Sequence, residues 1–263
     1  MIASIIENYN KKVKILNNLS HFFSKRLLYT QKPLDYCLDR GFTKDTLDTF
    51  YLGYDIGVQD FLDRENEGIE EDLIKLGILT ENEDSTLYDK FYDRIIFPIF
   101  DISGNVVGLS GRIWKKEDLR SKYIISNNTD IFQKSLNLYG LYQCLSNIIK
   151  YKTVLIVEGN VDVISCYQEG IKITVSPFGT SFMKEHLLLL KQFADIFIFC
   201  LDADKGGEKS VVRIKKLMIE ENVKAGFITL DKRYKDPDIF IKQNGVTSLM
   251  ENIIDIRNEL MSV

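Results

Sequence analysis

The chain has 263 residues, 45% of them hydrophobic and 27% charged, which suits one large or two smaller globular domains and is far from a disordered or low-complexity composition. Four widely spaced cysteines (Cys37, Cys144, Cys166 and Cys200) with no CxxC pair, and only His21 and His186, argue against a zinc module, a disulfide framework or imidazole catalysis. The net charge of −4 does not exclude a nucleic-acid partner, because Lys and Arg gather in the first half while acids dominate 60–85 and later loops.

The opening MIASIIENYNKKVK places charge after a short apolar stretch, the reverse of a secretory signal. No later run approaches the ~20 apolar residues that span a bilayer, so a soluble cytoplasmic protein without membrane contact is expected. Ile5, Tyr9, Val13, Leu16, Phe23 and Leu27 fall close to helical spacing over 2–28. A short helix from Pro33 to Gly41 and another capped by Thr43 follow, and the acidic stretch 60–85 is partly helical with Gly77 as its C-cap. From residue 91 the period changes, and DRIIFPIFDISGNVVGLSGRIW predicts a β-hairpin turning at Ser103-Gly104-Asn105. Lys122–Ile125 is a further strand, and Ser135–Ile149 a helix. Between 152 and 230 apolar runs alternate with amphipathic helices, the pattern of a mostly parallel sheet covered on both faces.

Parallel sheets bind ligands at the carboxyl ends of their strands. The expected strand 153–157 ends in Glu158, with Asp162 in the next helical turn; strand 196–201 ends in Asp202 and Asp204; strand 225–230 leads to Asp236 and Asp238. Taken singly, these acids could be loop residues or helix caps. Six carboxylates on one sheet edge would raise one another's pKa, a cost that a divalent cation removes. Oxygen-only ligands suit Mg²⁺ or Mn²⁺, and ions so placed serve phosphoryl transfer. Gly206-Gly207 could present an anion-binding helix N-terminus. Gly179 could allow backbone to approach a ligand, or simply make a tight turn. Ser126, Asn127 and Asn128 admit either a phosphate contact or a turn.

VEGNVDV, CLDAD and KDPD at 157–163, 200–204 and 235–238 resemble the Toprim signature. LDRGFTKDTLDTFYLGY, DRIIFPIFDISGNVVGLSGR, SKYIISNNTDIFQKSLNLYGLY and SPFGTSF resemble, in order, the catalytic core of DnaG-type primases, so that the resemblance covers roughly 30–260. It implies synthesis of short RNA primers on single-stranded DNA from ribonucleoside triphosphates. Glu158, Asp202 and Asp204 would be catalytic, and with Asp162, Asp236 and Asp238 would hold the metal. It also implies a basic ridge for nucleotide and template, at positions matched here by Arg40, Arg94, Arg112, Lys122, Tyr123 and Lys134. The chain departs from the family in lacking a zinc module and a helicase-binding part, and in having Ala203 where Gly is usual. It therefore reads as a compact viral primase or an excised core, working with a replicative helicase or a zinc-module protein in trans.

The expected architecture is α/β: a mixed α/β subdomain over 1–150, a Toprim subdomain with a parallel sheet over 151–245, and a short C-terminal helix over 246–263. Two rival functions share the acidic edge. A Toprim nuclease would need a water-activating site instead of a triphosphate-binding ridge, and a non-catalytic nucleic-acid binder would tolerate losing the acids.

Overall fold

The computed structural model describes residues 2–65, 68–179 and 181–262; Thr180 of the SPFGTSF segment lies outside the described residues. The chain forms two compact units, residues 1–134 and 135–263. The divide thus precedes the expected seam near 150, because the helix leading to that position packs into the core of the second unit. Among the described residues no helix is long and apolar enough to cross a membrane.

The first unit opens with α1 (Ile2–Tyr29), α2 (Gln31–Asp39) and α3 (Lys44–Thr49). On α1, Leu16, Leu19, Phe23 and Leu27 form one stripe and are fully buried. Thr43 caps α3 as expected, its hydroxyl accepting the Thr46 N–H at 3.2 Å. Strand β1 (Gly53–Asp55) is followed by α4 (Gln59–Leu62), α5 (Ile69–Lys75) and the small antiparallel pair β2 (Leu79–Glu81) and β3 (Leu87–Asp89). Gly77, at φ +68°, follows α5 where the C-cap was expected. The predicted hairpin is β4 (Arg94–Phe100) and β5 (Val106–Arg112), and β6 (Tyr123–Ile125) completes an antiparallel sheet ordered β1-β4-β5-β6. The Asp101 carboxylate closes the hairpin turn, accepting the N–H groups of Ser103 at 2.8 Å and Asn105 at 2.9 Å. Pro98 is accommodated inside β4 because β1 pairs only with Arg94–Ile96 and has ended before it.

The second unit runs α6 (Leu141–Tyr151), β7 (Thr153–Ile156), α7 (Asn160–Gln168), β8 (Thr174–Val175), α8 (Lys184–Leu190), β9 (Ile196–Cys200), α9 (Lys205–Glu220), β10 (Lys224–Ile228), α10 (Pro237–Asn244) and α11 (Thr247–Ser262). Its sheet is wholly parallel, ordered β10-β9-β7-β8. The chain passes from β7 to β8 on one side and then to β9 on the other, so the switch in strand order falls at the carboxyl end of β7. Apolar residues of β7 and β9 are buried with those of α6, α8 and α9, as their continuous hydrophobic runs require.

One predicted element is corrected. The helix expected from Ser135 begins only at Leu141, because Tyr139 instead exchanges backbone hydrogen bonds with Ser176 beyond β8, at 2.8 and 3.1 Å. Gly140 then turns the chain at φ +80°, and a Cβ there would lie 2.4 Å from Val163 Cγ1, so both the backbone angle and the space demand glycine.

Candidate active site

The acids that follow the strands meet at the carboxyl edge of the second unit's sheet, and their hydrogen bonds sort them into two kinds. Glu158 lies just past β7, and its Oε1 accepts the backbone N–H of Asp202, just past β9, at 3.1 Å. Asp204 is the N-cap of α9; its Oδ1 alone accepts the N–H groups of Gly206 at 2.7 Å and Gly207 at 2.9 Å. Asp236 is the N-cap of α10 and accepts the Ile239 N–H on Oδ1 at 2.8 Å. Both caps thus leave Oδ2 without a protein donor among the described residues.

Asp162 and Asp238 are turned inward. Asp162 accepts the Gly159 N–H on one oxygen at 3.1 Å and the Asp238 N–H on the other at 3.2 Å. The Asp238 carboxylate takes the Ser165 hydroxyl at 2.5 Å and pairs with Lys242 at 2.6 Å, and it is only 3% exposed. These two acids join α7 to α10, a role that spacing alone does not distinguish from ligation.

Electrostatics agree with a crowded edge. Burial, followed by the charges of Asp236 and Asp202, pushes the Asp162 carboxyl up to about 8. Burial, then Glu158, Asp236 and Asp204, pushes Asp202 up to about 7. Glu158 is raised by burial and by Asp204, against the opposing effect of the Asp202 N–H. Asp202 Oδ1 and Asn160 Oδ1 are buried with no hydrogen-bond partner among the described residues. A buried acceptor without a donor is costly, and a cation supplies what both lack. The oxygen-only donor set therefore fits a divalent ion of the Mg²⁺ or Mn²⁺ kind. As they stand, no three His, Cys, Asp or Glu side chains among the described residues are close enough to hold one ion. Binding would have to draw them together, or leave water to complete the shell.

Two details at this edge differ from expectation. The N–H groups of Gly206 and Gly207 are taken by Asp204 and offer no open anion site. Gly207 is instead required by packing, since a Cβ there would lie 2.0 Å from the Asp202 carbonyl oxygen. Ala203 is absent from the positive-φ residues, and its N–H reaches the Lys235 carbonyl at 2.8 Å, so the Asp-Ala-Asp turn needs no glycine. Gly179, at φ +73°, donates its N–H to the Glu158 carbonyl at 2.7 Å, which favours the turn reading of that residue.

The first unit gathers most of the expected basic residues on neighbouring strands. Arg112 ends β5 opposite Tyr123 of β6 and donates to its hydroxyl at 2.7 Å. Its guanidinium lies 5.2 Å from the Tyr123 ring centre and 5.8 Å from that of Tyr36, with Lys122 also beside Tyr123. Arg40 and Arg112 both lower the Cys37 thiol, but burial outweighs them and holds it at about 12. Arg94 donates to the Ser121 carbonyl at 2.8 Å, and burial and nearby Arg120 lower its pKa. Arg94 and Arg112 are 3% and 7% exposed, yet neither forms an ion pair among the described residues, and the Nε of each has no partner. Lys134 stands apart, next to Lys90, whose amine donates to the Ile125 carbonyl and to Asn127 Oδ1, both at 3.1 Å. Asn127 is thereby a lysine partner. Sequence reasoning missed Tyr36, Lys90, Asn160 and Ser165. Only Asn160, two residues past Glu158, carried a positional signal.

Comparison with known proteins accords with both halves. Residues 22–145 match the family described as DNA primase catalytic core, N-terminal domain, and residues 155–241 match the Toprim-like family. The chain is 35% identical over 256 residues to a DNA primase of Clostridium acetobutylicum, covering 95% of this chain and 42% of that one. It is 34% identical over 252 residues to a DNA primase of Borreliella burgdorferi, covering 92% of this chain and 46% of that one. The chain thus spans less than half the length of these relatives. Among solved structures, the zinc-binding and RNA polymerase domains of the Aquifex aeolicus primase superpose with a TM-score of 0.85 at 29% identity, over 95% of this chain and 61% of that one. A DnaG primase catalytic domain bound to ssDNA superposes at 0.83 and 28% identity, over 97% and 82%.

Proposed function

Because the chain belongs to the family of DnaG-type primase catalytic cores, we infer that it synthesises short RNA primers on a single-stranded DNA template by divalent-metal-assisted nucleotidyl transfer. The observation that carries this reading is the carboxylate edge: Glu158 and Asp202 at adjacent strand ends, with Asp202 Oδ1 buried and unpartnered among the described residues. Glu158, Asp202, Asp204 and Asp236 would hold Mg²⁺ or Mn²⁺, Glu158, Asp204 and Asp236 through the oxygen that their backbone contacts leave over and Asp202 through its own carboxylate. Asp162 and Asp238 would support them by fixing α7 against α10. A bound ion would polarise phosphoryl oxygens and offset the charge of the triphosphate.

The attacking primer 3′-hydroxyl forms a bond to the α-phosphorus while the bond to the bridging oxygen breaks, and pyrophosphate departs with that electron pair. The hydroxyl proton needs an acceptor. Glu158 or a metal-bound species at the same edge would take it. Arg112 and Arg94, buried without carboxylate partners among the described residues, together with Arg40, Lys122, Tyr123 and Lys134, would bind triphosphate or template phosphates. A replicative helicase or a separate zinc-binding protein would assist initiation.

The test is incorporation of labelled ribonucleotides on single-stranded DNA with Mg²⁺ or Mn²⁺, comparing wild type with Asp202→Asn and Asp204→Asn. Loss of an anionic ligand should lower synthesis on the order of 100-fold or more while the circular dichroism spectrum is kept. Near wild-type synthesis by either variant, or a wild type that degrades the template without polymerising, refutes the assignment.

A further inference from the structure

The opposite edge of the same parallel sheet carries a cavity of about 550 Å³. It opens where α6 leads into β7, where β9 begins after Asp195, and where α9 leads into β10; residues of α11 border it. Among the described residues five cations line it, Lys150, Lys152, Lys191, Lys224 and Arg257, against one carboxylate, that of Asp195. None of the five forms an ion pair among the described residues. Three are held in place: Lys224 Nζ donates to the Leu260 carbonyl at 3.0 Å, Arg257 Nε donates to Thr153 Oγ1 at 3.2 Å, and Lys191 Nζ reaches the Glu221 carbonyl at 3.5 Å. The Nη groups of Arg257 make no protein hydrogen bond among the described residues. Apolar surface from Tyr151, Val223, Leu260 and Met261 shares the lining.

Five cations facing one cavity with one described carboxylate among them make a positive field there, which an anion complements. The volume falls in the range of nucleotide-sized ligand sites, and cations beside an aromatic and apolar wall match the two ends of a nucleotide. We propose that this cavity is a second nucleotide site, in which the polyphosphate meets Lys150, Lys152, Lys191, Lys224 and Arg257 and the base lies against Tyr151 and the apolar wall. Four or five strand residues separate it from the carboxylates, roughly 13–17 Å at the usual rise. A nucleotide there is a bound effector and not the reacting substrate.

Isothermal titration calorimetry of the 263-residue chain in EDTA, with ATP as probe, tests this without reference to catalysis. Inorganic tripolyphosphate and a single-stranded oligothymidylate form separate arms. The double variant Lys152→Glu, Lys224→Glu should lose at least about tenfold in ATP affinity at this site, since two charge-assisted contacts become repulsive. Lys122→Ala, in the other unit, should retain that binding component. Tripolyphosphate should bind more weakly than ATP and show the same sensitivity, and added salt should weaken both. If the charge-reversed protein does not fold, Lys152→Gln with Lys224→Gln removes the charges and should act in the same direction. ATP binding untouched by either pair overturns the proposal, as does binding abolished in Lys122→Ala but kept in the pairs. An effect of the pairs on the oligonucleotide alone overturns it too, by assigning the cavity to strand phosphates. Failure of primer synthesis would leave each of these binding results intact.

Discussion

The sharpest physical consequence of the acidic edge concerns Asp162. Its carboxyl is 6% exposed and pushed up to about 8, whereas an unfolded aspartate titrates near 4. Between those values the folded state keeps a proton that the unfolded state has released, so stability falls as pH rises through this window and levels off above it. From pH 6 to pH 8 the share due to Asp162 is about 2 kcal/mol, at about 1.4 kcal/mol per pH unit with the slope fading near the midpoint. Asp162→Asn cannot titrate, so it removes that slope. It also leaves either the Gly159 or the Asp238 N–H facing an amide NH₂ instead of an oxygen, a pH-independent cost of about 1–3 kcal/mol. The variant should therefore be clearly less stable than wild type at pH 6 and close to it at pH 8. Urea unfolding in EDTA, followed by far-ultraviolet circular dichroism, measures the difference. The single tryptophan, Trp114, lies in the first unit and reports that unit's transition separately by fluorescence. Adding Mg²⁺ at pH 8 should stabilise wild type, because a cation favours the ionised carboxylates it binds. An equal difference at pH 6 and pH 8 would mean that Asp162 is ionised throughout, and the account of mutual repulsion at this edge would fail.

Two further outcomes follow from the packing and the basic residues. A Cβ at Gly226 of β10 would lie 2.1 Å from Ile256 Cγ2 on α11, so Gly226→Ala should cost about 1–3 kcal/mol through overpacking. Combining it with Ile256→Ala should recover part of that stability, and a double-mutant cycle showing strict additivity would contradict the packing. Arg112→Ala and Lys122→Ala should each weaken template binding and flatten its dependence on salt, the log–log slope falling by about 0.7 for each single-strand phosphate that is no longer neutralised. Unchanged slopes in both variants, measured by fluorescence anisotropy, would remove these residues from the template path.

Much of this architecture is written in hydrophobic period. Runs such as TVLIV and IFIFC are apolar on both faces, which only a covered parallel strand tolerates, and they bring Glu158 and Asp202 side by side after β7 and β9. The same reasoning could not separate ligands from struts. Asp238 resembles Asp236 in sequence, but the former turns inward to Ser165 and Lys242 while the latter caps α10. Nor could it see that Arg94 and Arg112 would be buried, because periodicity in β4 and β5 is obscured when every residue but one is covered. The false helix before Leu141 has a similar cause: residues 135–149 carry helical spacing, and only a tertiary pairing between Tyr139 and Ser176 overrides it. The basic cavity went unseen because its cations come from 150–152, 191, 224 and 257, which are neighbours only once the strand order is known.

The two duties of the acidic edge need not compete, because they use different oxygens. Asp204 and Asp236 each place Oδ1 on helix N–H groups, which fixes the carboxylate plane by the start of α9 and α10. Those helix ends also carry partial positive charge, which offsets some of the repulsion among the acids before any cation arrives. Glu158 is anchored in the same way through Oε1 to the Asp202 N–H. Orientation is thus supplied by backbone donors, while the remaining oxygens and the unpartnered Asp202 Oδ1 stay available to a cation. An asparagine at 204 could keep the cap with its one oxygen and lose only the anionic ligand. That is why Asp204→Asn, rather than an alanine that also uncaps α9, separates the metal from the fold.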